Sequence, residues 1–79
     1  MVKLINIKKN GTVLSADYDP ELSGKYGRVS IEIVSGTVID YQYSELDEPM
    51  PMYFHHALSA LEKLADANEI PCEKMVMWY

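Results

Sequence analysis

Cysteine is nearly absent from this 79-residue chain: Cys72 stands alone. One cysteine closes no internal disulfide, and no cysteine or histidine spacing suits a zinc site. A small domain without disulfides fits a reducing compartment. Long apolar runs are missing as well. No stretch approaches the ~20 residues of a membrane helix, and the opening apolar segment is too short for a signal-peptide core. The expectation is a cytoplasmic protein, complete as one domain over 1–79, without repeat, low-complexity tract or linker. Basic residues are scarce, seven against twelve acidic ones, for a formal charge of −5. Such a surface repels phosphate backbones and anionic lipid, which argues against nucleic acid and membranes as partners. The four glycines are scattered singly, so no phosphate-cradling loop exists.

What is present is a clear order of periodicities. Residues 2–8 and 12–18 flank Asn10-Gly11, a strong hairpin signal for a type I′ turn. A two-residue loop there pairs Ile7 with Leu14 and Ile5 with Ala16. Val2 and Leu4 then fall on the opposite face. Asp19–Lys25 reads as a loop, with Gly24 supplying freedom near its end. Residues 26–34 and 37–43 alternate apolar and polar positions. A three-residue loop, Val34-Ser35-Gly36, pairs Ile31 with Ile39 and Val29 with Tyr41. It also puts Gly36 where a turn with a bulge needs a left-handed residue.

Ser44–Pro49 is an acidic loop, and its Asp47 and Glu48 favour a following helix start. The spacing of Phe54, Ala57, Leu58, Leu61, Leu64 and Ala65 predicts a helix over 51–68, with Asn68 as its left-handed cap. Residues 72–78 form the last strand, set antiparallel beside the first. The sum is a ββββαβ chain: a two-layer α+β sandwich, an antiparallel meander of four strands with one helix on one face and a fifth strand at an edge.

Catalytic and metal-binding patterns are thin. His55 and His56 point about 100° apart on a helix and do not converge on one ion. No H-E-x-x-H spacing accompanies them. Cys72, at a strand start, reads as a small buried hydrophobe rather than a nucleophile. Glu45, Asp47 and Glu48 lack a calcium-loop pattern and read as a solvated loop. No cofactor, metal or catalytic residue is expected, and neither zinc nor calcium should affect stability.

Large apolar groups crowd the last thirty residues: Met50, Met52, Tyr53, Met75, Met77, Trp78 and Tyr79. They exceed what one face of a small sheet hides, and surplus apolar surface marks interfaces. The leading expectation is a non-enzymatic interaction module, a homodimer or a partner of another protein. Its contact would be the outer face of the first and last strands, through Val2, Leu4, Val76 and Trp78. The second expectation is a small-ligand binder or enzyme, its pocket between helix start and sheet lined by Tyr41, Tyr43, Met52 and Tyr53.

Overall fold

The computed structural model describes residues 1–78, so Tyr79 lies outside the described residues. The elements are β1 (Val2–Asn10), β2 (Val13–Pro20), β3 (Gly27–Glu32), β4 (Thr37–Gln42), a 3-10 turn at Glu45–Asp47, α1 (Met52–Leu64) and β5 (Lys74–Val76). All five strands form one antiparallel sheet in the order β4-β3-β2-β1-β5. Helix α1 packs on one face, so the two-layer ββββαβ architecture is the one the periodicities imply. β5 lies antiparallel to β1, with Val2 opposite Val76 and Leu4 opposite Lys74.

The first hairpin departs from its expected register. Asn10 pairs with Val13 and Lys9 with Leu14, so Gly11 and Thr12 form the two-residue loop. Gly11 has φ +64°, and among the described residues Thr12 is not left-handed. Glycine at the first central position is the type II′ preference, which here displaces the Asn-Gly type I′ turn. Further along, the pairing shifts between Ile5 and Lys8. Asn6 is the extra residue, held at φ +51°. Asparagine tolerates the left-handed region better than most residues, and its Nδ2 donates to Asp17 Oδ2 at 3.0 Å. The freed Ile7 N–H bonds to the Cys72 carbonyl at 2.9 Å.

This bulge reverses the phase of β1. Ile7 faces α1 as expected, but before the bulge the inward residues are Val2 and Leu4, not Ile5. Val2 and Leu4 are 0% exposed. The shifted register sets Leu4 opposite Tyr18 and Val2 opposite Pro20, all four of them buried. Full burial of a Val or Leu side chain contributes about 1.5–3 kcal/mol, more than a local turn preference.

The second hairpin is closer to expectation. Val29 pairs with Tyr41, and Gly36 is left-handed at φ +72°. Glu32 pairs with Thr37, however, so the loop holds four residues, and Ile31 faces Val38 instead of Ile39. Ile39 is left as the bulge residue on the sheet edge. Helix α1 buries Phe54, Ala57, Ala60, Leu61 and Leu64 against the sheet. It stops at Leu64, four residues before Asn68, which is not left-handed; the last turn tightens through Asp66 N–H to the Lys63 carbonyl. No helix among the described residues is long and apolar enough to cross a membrane.

Candidate interaction surface

The surfaces on either flank of α1 are set by a buried polar node. The Tyr18 hydroxyl donates to Asp47 Oδ2 at 2.5 Å and accepts the Ser44 N–H at 3.1 Å. Asp47 Oδ2 also accepts the Ser44 N–H at 3.2 Å, and Asp47 Oδ1 accepts the Phe54 N–H at 3.1 Å. Ser44 Oγ donates to the Lys25 carbonyl at 2.5 Å and accepts the Leu46 N–H. Asp47 thus satisfies donors of two helical starts, one of them in α1, whose own first residues lack a side-chain cap. It is only 3% exposed, a correction to the solvated acidic loop. Burial, and then the bond to Asp47, pushes the Tyr18 phenol well above its ordinary pKa. Gly27 faces Tyr18 across β2 and β3, and any β-carbon there would overlap the ring.

The node anchors the end of β2 and the start of α1. Neighbouring helix residues then diverge. Phe54 turns toward β4, where its ring meets Tyr43 at 4.9 Å and Tyr41 at 5.6 Å. Tyr53 turns toward β5, edge-on to Trp78 at 5.8 Å, and its hydroxyl donates to Glu21 Oε2 at 3.2 Å. Burial and that bond raise the Tyr53 pKa. The expected pocket of Tyr41, Tyr43, Met52 and Tyr53 is therefore divided between two flanks. Met52 lines a separate cleft with Met50, Pro51, His55 and His56.

The four residues expected on the outer face do share a face, but it is the inner one. Val2 and Leu4 lie in the core, and Val76 and Trp78 pack against it. Trp78 stacks on His56, with ring centroids 3.8 Å apart and planes 8° from parallel. The outer face instead carries Arg28, Ser30, Glu32, Asp17 and Asp40, with Ile5, Val13 and Met75 as apolar exceptions. His55 is exposed. Cys72 is exposed too, not a buried hydrophobe. No group of three or more His, Cys, Asp or Glu side chains that could hold a metal occurs among the described residues.

What remains open is the β4 edge. Ile39, Tyr41 and Tyr43 are 53%, 54% and 44% exposed, and the two tyrosine rings lie 5.2 Å apart. The alternating pattern implies Tyr41 and Tyr43 as pocket walls and Ile39 opposite Ile31. The bulge that expels Ile39 had no separate signal in the alternating pattern. The only charge on β4, Asp40, is met by Arg28 Nε at 3.1 Å. No protein-family model matches the chain, and no curated protein or solved structure is significantly similar to it.

Proposed function

We propose that this chain is a non-enzymatic, self-associating interaction module whose contact is the β4 edge, with Ile39, Tyr41 and Tyr43 as anchors. The observation that carries this reading is an apolar edge strand with a bulge as its one guard. Edge strands are usually blunted by shortness, charged side chains such as lysine, proline or a bulge. The opposite edge follows that rule: β5 has three residues and carries Lys74. β4 has six residues and no lysine or proline, and its one carboxylate is engaged by Arg28. A bulge alone protects it, and that bulge pushes an isoleucine outward. A second copy offers the same apolar row, so a two-fold contact is self-complementary. Aromatic side chains commonly anchor such contacts.

Sedimentation equilibrium across a concentration series tests the reading. Wild type should fit a monomer–dimer equilibrium, and Ile39→Lys with Tyr41→Lys should remain monomeric with an unchanged helix signal in circular dichroism. A wild type that stays monomeric at high concentration, or a double variant that still dimerises, defeats it.

A further inference from the structure

A cleft of about 500 Å³ separates α1 from β5. It exists because β5 is short and pairs with β1 over three residues only, leaving the helix flank incompletely covered. Its apolar lining includes Leu64, Val76 and Trp78, and its polar lining includes Lys63, Lys74 and His56. No carboxylate lines it among the described residues. That is notable in a chain whose formal charge is −5. Of the two carboxylates adjacent in sequence to the lining lysines, Glu62 and Glu73, the latter faces Lys3 at 3.5 Å. Neither Lys63 nor Lys74 pairs with a carboxylate among the described residues.

We propose that this cleft binds a small amphiphilic anion, its apolar body against Leu64, Val76 and Trp78 and its acid group between Lys63 and Lys74. The volume falls in the range of small-molecule sites, roughly 300–1,000 Å³. An apolar wall with a few convergent polar groups is the usual composition of such sites. Charge sets the ligand class: two lysine ammonium groups, with no carboxylate among the described lining residues, favour an acid over an amine or a neutral molecule. The stacked His56 ring holds the indole plane, so the wall is formed before a ligand arrives. The site lies on the flank of α1 away from β4 and does not depend on self-association.

Trp78 is the only tryptophan in the chain, so its emission reports on this cleft alone. Octanoate, kept below its aggregation concentration, is the anionic probe, and 1-octanol the neutral one. Octanoate should change Trp78 emission saturably, with octanol at least about tenfold weaker. Lys63→Gln with Lys74→Gln should weaken octanoate by about tenfold or more, whereas Lys63→Arg with Lys74→Arg should retain it. Both lysines are exposed, so the fold should survive, and circular dichroism checks this. Equal responses to octanol and octanoate, undiminished octanoate binding in the glutamine variant, or no saturable change at all overturns the proposal.

Discussion

Tyr18 shows how much one side chain can join. Its ring fills the space over Gly27, and its hydroxyl closes the node with Asp47 and Ser44. Tyr18→Phe keeps the ring but removes the hydroxyl that donates to the buried Asp47 carboxylate, leaving Asp47 Oδ2 with the Ser44 N–H alone. The expected cost at neutral pH is about 1–3 kcal/mol, read as a lower denaturant midpoint. Alkaline pH gives a second readout. Below about pH 10 the phenol is protonated in both folded and unfolded chains and adds no pH dependence. Above that, the unfolded chain releases the proton while the folded one, with its raised pKa, keeps it. Wild-type stability should therefore fall as pH rises past about 10, and less steeply in Tyr18→Phe, where that linkage is gone. Equal alkaline slopes in the two proteins would refute the linkage.

At the scale of the element, β1 is decided by Asn6. A β-branched residue resists the left-handed backbone that the bulge requires. Asn6→Val should cost on the order of 1–3 kcal/mol, and Asn6→Gly much less, both measured by chemical denaturation. Comparable losses in the two variants would mean that the side chain, not the backbone, is what matters. The element also explains where sequence reading stopped. Ile5-Asn6-Ile7 looks like unbroken alternation, which implies Ile5 inside and Val2 and Leu4 outside. The trace of the bulge was present, since apolar residues at 2, 4, 5 and 7 fit no single-faced strand. Alternation in β2 and β3 was legible because nothing interrupts those strands. The stripe of α1 was legible too, but its end was not: residues 65–68 have no helix breaker, and the helix stops once Leu64 has met the sheet. The residues of the expected pocket are divided for a geometric reason. Tyr53 and Phe54 are adjacent in sequence and diverge on a helix, so the aromatic residues near the helix start serve two flanks.

The whole molecule presents two unlike surfaces on opposite flanks of its helix, and salt should act on them in opposite senses. Two copies with a net charge of −5 each repel, while the contact proposed at β4 is apolar. Raising ionic strength screens the repulsion, so self-association should tighten. Binding of an anion between two lysines should weaken under the same change. Sedimentation and Trp78 emission, each followed in a salt series, should therefore move apart. Parallel responses would show that charge does not divide the surface in this way.

The phase reversal in β1 also bears on what the chain becomes when it is only partly folded. Turn chemistry at Asn10-Gly11 favours an unbulged hairpin, in which Ile5 and Ile7 share a face and Val2 and Leu4 are turned out. The native pairing prevails because α1 and β5 reward the burial of Val2 and Leu4. Strand register is thus a tertiary property here, and local and global preferences are in conflict at one site. A state in which α1 has left the sheet is not the native hairpin with a helix missing. Its first two strands would be free to take a rival alignment, and re-docking the helix would then require the backbone to regain its extra residue at Asn6.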